Sequence, residues 1–449
     1  MAKGQMVNDF ILKPLLLGIR QVKPNKKFTP KELFLKIKEN SVPIGEISEA
    51  EDFDVLVSQF LIGISAVLVD GHPRALMLNT KGWEKRNITE PDIEKVIRGP
   101  RDGFTETLRV NTTLIRRRIR DPNLRVITIQ IGRRSKTEVA LIYIQDVANP
   151  ALVDEVKKRL EKIDIDVVMD SAYISHFIED RWWSIFPTVQ ETERPDTVAA
   201  SVAEGRVAIL VDNSPFALIV PTNINMFMVS PEDAYLRWSA GSFLRLIRFG
   251  ANFIALLLPG LYIALTSYHP EMLPTGLALS IAATRENVPF PAFVEAFLME
   301  LSLELLREAG ARLPGPINQT IGIVGGLIVG TAAVQANIVS PIMVIIVALT
   351  AISAFAVPTF SFGVAIRQVR FLFMFLAAVL GIYGIMLGLL LLIGHLATLK
   401  SFGMGYLEPF APLRTGDLRD VMIRFPLQSM HKRPQGLSPQ DVKRLDDKG

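Results

Sequence analysis

The distribution of apolar residues divides the 449-residue chain into two unlike halves. Before about residue 240, apolar runs are short and alternate with dense charge, whereas the later part contains long apolar runs with few charges. A helix needs about 20 mostly apolar residues to cross a bilayer. The pattern therefore predicts an α/β soluble N-terminal region of two repeat-related subdomains, followed by an α-helical polytopic membrane domain.

An internal repeat supports the two-subdomain prediction. GISAVLVDGHPRAL (63–76) and GRVAILVDNSPFAL (205–218) both read G-x-x-A-x-L-V-D-x-x-P-x-A-L without a gap. Each copy predicts two strands joined by a tight turn, because Asp and Pro favour such turns. Two unrelated hairpins of similar composition are the alternative, but identities at fixed spacing favour duplication. The predicted turn residues are Asp70, Pro73, Asp212 and Pro215.

Helical and strand patterns alternate between the two copies, as expected for α/β subdomains. NPALVDEVKKRLEKI (149–163), for example, predicts a helix capped by Asn149 with Pro150 at its first position. The expected organisation is a lead segment 1–50, subdomain one 51–147, subdomain two 148–240, a transmembrane domain 241–400 and a C-terminal tail 401–449.

Four apolar segments qualify as crossing helices, namely 246–267, 317–335, 338–358 and 371–396. A fifth segment, 290–308, is rich in glutamate and is predicted to lie in the interface or within the membrane. Four crossings place the basic C-terminal tail on the cytoplasmic side with the N-terminal region. Five crossings would instead move Arg367 and Arg370 inside, in line with the positive-inside trend. We favour four.

The glutamate segment raises a question of charge. At 100° per residue, Glu300, Glu304 and Glu308 share one stripe with Arg307, and Glu295 lies on another face. Carboxylates in hydrocarbon are costly unless they meet water, protein or a cation. Either Glu304 and Arg307 pair locally on a surface helix, or the helices of several subunits form an acidic vestibule for cations.

Small residues mark the next apolar segment, IGIVGGLIVGTAA (321–333), which contains two G-x-x-x-G patterns. Small residues allow close helix packing, so this segment is expected to pack against another helix or around a pore. The candidate residues are Gly322, Gly325, Gly326 and Gly330.

Other features narrow the function classes. The chain has no cysteine, which excludes disulfides and thiolate metal sites. It contains none of the P-loop, H-E-x-x-H or G-x-S-x-G motifs. We therefore predict no catalytic, cofactor or metal site. The basic run RRRIR (116–120) lacks interleaved aromatic residues, which favours a solvated or inter-subunit face over nucleic-acid binding.

Several long motifs occur in a characteristic order. They are VIRGPRDGFTETLRVNTTLIRRRIR (96–120), TERPD (192–196), the stretch from YHPEML to GPI (268–317) and SFGMGYLEPFAPL (401–413). Together they resemble the spore germination receptor A-subunit (GerA) family over about residues 50–435. A SpoVAF-type paralogue of the same family is an alternative.

The resemblance implies a subunit in the inner membrane of the spore, with its N-terminal region cytoplasmic. Its implied partners are copies of itself, a multi-span, transporter-like B subunit and a C-subunit lipoprotein. It implies a channel that releases monovalent cations when the receptor binds its nutrient. On that basis Glu295, Glu300 and Glu304 become candidates for a cation vestibule. A membrane-anchored scaffold whose partners conduct is the rival interpretation.

Overall fold

The computed structural model describes residues 7–15, 28–38, 47–61, 64–78, 88–311, 326 and 330–445. These residues form two compact units, Met1–Arg86 and Asn87–Gly449. Each unit has its own sheet, and each sheet contains one of the two repeat hairpins.

The first unit is a small α/β fold. Its elements are a π-helical turn (Asn8–Leu12), α1 (Pro30–Lys36), β1 (Ile47–Ala50), α2 (Phe53–Leu61), β2 (Ser65–Leu68) and β3 (Ala75–Leu78). The strands form an antiparallel sheet in the order β1-β3-β2. Helix α1 begins at a capping box between Thr29 and Glu32, which satisfies free N–H groups of its first turn.

The second unit opens with a larger α/β region. Its helices are α3 (Leu108–Arg118), α4 (Pro150–Glu161), α5 (Ser171–Ile178) and α6 (Pro195–Ala203); its strands are β4 (Leu124–Ile131), β5 (Thr137–Ile144), β6 (Gln190–Thr192), β7 (Val207–Val211) and β8 (Ala217–Val220). The five strands form one antiparallel sheet in the order β4-β5-β7-β8-β6. The predicted boundary between residues 147 and 148 thus falls between strands of a single sheet.

Helices cover both faces of this sheet. On strand β7, Ile209 packs into the core formed with α4 and α5, and the next residue, Leu210, packs into the core formed with α3 and α6. Successive side chains of a strand point to opposite faces. The fully apolar sequence VAILV of β7 is therefore buried throughout.

The internal repeat extends well beyond the hairpins found in the sequence. An offset of 142 residues, the spacing of Gly63 and Gly205, carries α2 onto α6 and β3 onto β8 without a residue of difference. The same offset carries α1 onto all but the first residue of α5, and it carries the pair Leu68–Ala75 onto the pair Leu210–Ala217. Both units therefore contain the order α-β-α-β-β with the same strand register.

The two hairpin turns also share a backbone conformation. Gly71 has φ 76° and Asn213, at the equivalent position, has φ 70°. Glycine and asparagine are the residues that adopt this left-handed region most readily. Both hairpins therefore turn at a residue in the left-handed region.

The remainder of the second unit is mainly helical. Its helices are α7 (Trp238–Ser267), α8 (Thr275–Arg285), α9 (Ala292–Ala311), α10 (Pro341–Phe355), α11 (Phe360–Leu380) and α12 (Ile382–Thr398), followed by the short strands β9 (Lys400–Ser401) and β10 (Met404–Gly405). Short 3₁₀ turns cover Ile224–Phe227, Pro231–Ala234, Pro270–Met272, Asp417–Arg419, Leu427–Ser429 and Gln435–Leu437. This confirms an α/β region followed by a helical region.

Two of the described helices, α7 and α11, are long and apolar enough to cross a membrane; α10 and α12 are shorter apolar helices. The expected helix 317–335 lies largely outside the described residues. The expected single helix 371–396 is wrong: the chain breaks at Gly381, with φ 61°, into α11 and α12. Only the missing side chain of glycine permits this conformation without strain.

Contacts at the helix ends give the direction of each helix. The ring of Phe186 lies 5.9 Å from that of Phe362, near the start of α11, and 6.3 Å from that of His395, near the end of α12. Helices α11 and α12 therefore form an antiparallel hairpin. The hydroxyl of Tyr268, which follows α7, donates to the carbonyl of Ala378 near the end of α11, so α7 and α11 run in the same direction.

The C-terminal tail packs against the α/β region of its own unit. The backbone N–H of Thr222 donates to Ser401 Oγ at 3.0 Å, and Ser401 Oγ donates to the carbonyl of Thr188 at 2.7 Å. The N–H of Ile224 donates to the carbonyl of Tyr406 at 2.9 Å. The residues that follow α12 therefore lie on the same side of the helical region as the five-stranded sheet.

Candidate functional site

The glutamate-rich segment forms helix α9, which packs among α7, α10 and α11. Helix α9 therefore packs inside the helical region, and its position within the membrane or in the interface stays a prediction. The side chain of Glu295 is completely buried, and Glu300 is 2% exposed. Such burial of carboxylates in an apolar bundle requires partners, and arginines of neighbouring helices supply them.

Glu300 and Arg370 form a deeply buried ion pair, with side chains 2% and 1% exposed. Nη1 of Arg370 lies 2.6 Å from Oε2 of Glu300, and Nε of Arg370 donates to the carbonyl of Ala255 on α7 at 2.6 Å. The pair therefore connects α9, α11 and α7. Arg370 Nη2 and Glu300 Oε1 have no hydrogen-bond partner among the described residues.

Glu304 pairs with two arginines. Its Oε1 accepts from Nε of Arg367 on α11 at 2.8 Å, and its Oε2 accepts from Nη1 of Arg307 on its own helix at 3.1 Å. The local Glu304–Arg307 pair predicted from the sequence is therefore present, together with a second contact between helices.

Glu295 lies at the other end of the same helix. Its Oε1 is 3.1 Å from Nη2 of Arg285 on α8, and its Oε2 accepts from the backbone N–H of Ser340 at 2.8 Å. Ser340 caps α10 through its own side chain. The carboxylate thus joins three helices, as Glu300 does.

We refer to these contacts together as the ion-pair ladder, formed by Glu295, Glu300, Glu304, Arg285, Arg307, Arg367 and Arg370. In the sequence, Arg367 and Arg370 were notable only as charges on the wrong side of a predicted membrane. Nothing in the sequence indicated that these two arginines pair with the glutamates of α9. The ladder brings positive charge to each of the three candidate glutamates, so a cation vestibule formed by them stays a prediction.

The candidate glycines are only partly described. Gly322 and Gly325 lie outside the described residues. A Cβ at Gly326 would meet nothing within 4 Å, whereas one at Gly330 would lie 3.6 Å from the Val344 side chain of α10. Gly330 therefore packs against a helix at ordinary distance, and a role of these glycines around a pore stays a prediction.

The four hairpin-turn residues lie at the tips of the two repeats. Asp212 Oδ1 accepts from the N–H of Leu108 at 3.0 Å and thus satisfies the start of α3. Asp70 and Pro73 occupy the equivalent turn of the first unit, and Pro215 follows Asp212. The Asp212 contact thus connects the second turn to the start of α3.

The TERPD motif centres on a buried arginine. Arg194 is fully buried and donates to the carbonyl oxygens of Glu94 and Pro100, at 3.1 and 2.8 Å, and to the Asp196 carboxylate at 2.9 Å. Tyr235, just before α7, donates its hydroxyl proton to the same carboxylate. The motif therefore ties residues 94–100 and the approach to α7 onto the sheet.

Glu94 belongs to the same cluster. Its carboxylate accepts from the Thr192 hydroxyl and from the N–H of Glu193. Burial raises the pKa of Glu94 to about 7, because desolvation of the charged form outweighs these two hydrogen bonds.

A second charged cluster lies at the base of α7. The carboxylate of Asp233 accepts from Nε of Arg245 at 3.1 Å and from Nη1 of Arg248 at 2.9 Å. Nη1 of Arg245 also reaches the Asp420 carboxylate of the tail at 2.8 Å. Both arginines are therefore structural ion-pair partners at the start of α7.

The α/β region is thus attached to a helical region in which two of the described helices are long and apolar enough to cross a membrane. The family model for the Bacillus/Clostridium GerA spore germination protein matches residues 1–436. The chain belongs to the GerA family.

Similar proteins agree with this assignment. The chain is 46% identical to spore germination protein KA of Bacillus subtilis over 406 residues, which is 90% of this chain and 75% of that protein. It is 43% identical to the uncharacterized membrane protein YfkQ of the same organism, over 99% of this chain and 86% of that protein. With spore germination protein GerLA of Bacillus cereus it shares 45% identity, over 89% and 81% of the two chains.

A solved structure also matches part of the chain. It is the N-terminal domain of the A subunit of the Bacillus megaterium spore germinant receptor GerK3, 47% identical, covering 26% of this chain and 93% of that one. Its TM-score is 0.22, which is too low to support an argument about the fold. Among the relatives, the spore germination proteins KA, GerLA and A1 are A-type spore germination proteins.

Proposed function

We propose that this chain is the A-type subunit of a spore nutrient germinant receptor, that it oligomerises, and that the oligomer forms a ligand-gated channel for monovalent cations. Its partners are a multi-span B subunit and a C-subunit lipoprotein in the inner membrane of the spore. Membership of the GerA family supports the receptor assignment. The channel activity is proposed from the charge distribution within the helical region.

The observation that carries the channel proposal is the Glu300–Arg370 pair. A buried ion pair contributes little net stability compared with apolar residues of the same volume. Charged residues inside a membrane bundle therefore usually mark a pathway or a switch. The ladder provides three such carboxylates at successive depths on one helix.

In this proposal the ladder holds the helices in a closed arrangement. While arginines neutralise the carboxylates, the ladder offers no net negative charge to a cation. Movement of α9 away from α11 would separate Glu300 from Arg370 and Glu304 from Arg367. The freed carboxylates of several subunits would then form the acidic vestibule, with the glycines of residues 322–330 close to the conduction path.

The position of the tail supports the proposed membrane arrangement. The tail packs on the α/β region, and an even number of crossings would place both on the same side of the membrane. We place the α/β region and the tail in the cytoplasm. This agrees with the arginines at the base of α7, on the basis of the positive-inside trend.

Potassium efflux from spores after nutrient addition tests the proposal. The variants are Glu300→Gln, Arg370→Gln and the double variant, with subunit levels measured by blotting. The double variant removes both charges and leaves no unpaired ion in the bundle. If the carboxylate serves cations, the double variant assembles at normal level but releases potassium severalfold more slowly.

Normal efflux in the double variant would contradict this role and make the pair purely structural.

A second experiment, with purified protein in liposomes, distinguishes a channel from a membrane-anchored scaffold. A channel moves potassium without partners, whereas a scaffold subunit does not. A SpoVAF-type paralogue would conduct in liposomes, but its deletion would not abolish the response to a single nutrient.

A further inference from the structure

The segment RWWSIF (181–186), which we call the tryptophan loop, exposes large apolar side chains. It connects α5 to β6 in the α/β region. Trp182 is 82% exposed, Trp183 is 56% exposed and Ile185 is 51% exposed. Exposed apolar clusters of this kind usually mark a surface that contacts another molecule or a membrane.

The loop is fixed to the ends of two helices. Nη1 of Arg181 donates to Thr398 Oγ1 at 2.8 Å, and Ser184 Oγ lies 3.2 Å from His395 Nε2, both at the end of α12. Phe186 is buried next to Phe362 at the start of α11. The tryptophan loop therefore lies where the α11–α12 hairpin meets the α/β region.

The helices next to the loop have apolar outer surfaces. Leu390, Leu391 and Ile393 of α12 are exposed, as is Phe360 at the start of α11. If these surfaces face lipid, the tryptophan loop lies at the level where hydrocarbon gives way to headgroups. Trp is enriched at that level because its ring is apolar and its indole N–H finds polar partners there.

We infer that the tryptophan loop inserts Trp182 and Trp183 into the interfacial layer of the lipid bilayer and holds the α/β region against the membrane surface. The inference rests on the membrane crossing by α11 and α12 in the proposed function. Arg181 beside the indoles provides a cation for lipid phosphate groups. The occupant of this surface is thus lipid.

If a protein partner bound here, its contacts would not be confined to the tryptophan loop. The exposed apolar surface continues along α5 through Phe177 and Tyr173. Helix α5 starts near the β7–β8 turn, where Ser214 Oγ donates to Ser171 Oγ at 2.9 Å. It ends next to the tryptophan loop. Tyr173 is therefore farther from the helical region and provides a matched control on the same apolar surface.

Site-directed spin labelling measures the environment of each position. Because the natural sequence has no cysteine, Trp182→Cys, Tyr173→Cys and Phe375→Cys each introduce one labelling site in the full chain. Phe375 lies on the exposed side of α11. The labelled proteins are placed in nanodiscs of mixed neutral and anionic phospholipid, and nitroxide collisions with oxygen and with a water-soluble nickel chelate are compared.

The expected oxygen-to-nickel collision ratio is severalfold higher at position 182 than at position 173, and highest at position 375. A water-like ratio at 182 with a lipid-like ratio at 375 would overturn the inference alone. Low collision with both reagents at 182 and 173 would assign the surface to a protein partner and also overturn it. A water-like ratio at 375 would overturn the membrane crossing, and the inference with it.

Discussion

Glu300 on helix α9 and Arg370 on helix α11 meet at 2.6 Å inside the helical region, and both side chains are at most 2% exposed. Seventy residues separate them in sequence. This contact fixes the relative position of α9 and α11, and it gives each buried charge an ion-pair partner.

We predict that Arg370→Met lowers the free energy of unfolding by about 3–5 kcal/mol, since it leaves the Glu300 carboxylate buried without its partner. The double variant Glu300→Leu, Arg370→Met is expected to recover most of that loss, because both charges are removed. Thermal unfolding of detergent-solubilised protein measures both. Equal stability of the single and double variants would contradict the coupling.

Gly381 provides a second test, of the α11–α12 hairpin. Gly381→Ala is expected to lower stability by about 1–3 kcal/mol, because a side chain is strained at this backbone conformation. The added Cβ would also lie 3.0 Å from Tyr268 and His269. Gly394→Ala on α12 is the control, since its Cβ meets nothing within 4 Å. A comparable loss in both variants would argue against a special role of Gly381.

A third prediction concerns the TERPD motif. Arg194→Lys keeps the charge but is expected to lower stability by about 2 kcal/mol or more, because a single ammonium cannot reach two carbonyls and Asp196 at once. Arg117→Lys, exposed on α3, is expected to change nothing. Urea unfolding followed by tryptophan fluorescence compares the two. Unchanged stability of Arg194→Lys would show that the guanidinium geometry is dispensable.

The raised pKa of Glu94 predicts a pH dependence. Between its ordinary pKa of 4.5 and its folded pKa of about 7, the folded chain retains a proton that the unfolded chain releases. The stabilisation is therefore complete below pH 4.5 and is lost as the pH rises through 7, a change of about 3 kcal/mol.

Glu94→Gln mimics the protonated carboxyl group and is expected to remove this part of the slope. Urea unfolding between pH 4.5 and pH 8 measures the difference between the variant and the natural chain. Identical slopes in the two proteins would show that Glu94 ionises normally.

The fold was predictable in outline because local patterns carry it. The repeat hairpins, the capped helix beginning after Asn149 and the change from α/β to helical structure all depend on residues close in sequence. The full extent of the repeat was less visible, because α2 and α6 occupy equivalent positions but have few identical residues in their sequences. The break at Gly381 was missed, since hydropathy is continuous across it.

The ion-pair ladder could not be predicted for a different reason. Each of its contacts between helices joins residues of distant segments, such as Glu304 and Arg367, and helix periodicity describes only one segment at a time. The cost of burying Glu300 in hydrocarbon suggested that it needs a partner, but nothing in the sequence specified which residue that is. For the same reason the tail contacts of Arg245 were not foreseen.

The carboxylate of Asp233 forms ion pairs with Arg245 and Arg248, which lie one turn apart on the same face of α7. A helix held at two successive turns by a single fixed anion cannot spin about its own axis without breaking both contacts. An axial displacement relative to Asp233 would break them as well, so α7 is expected to move together with the Pro231–Ala234 turn. This restricts how a signal can travel from one part of the chain to the other.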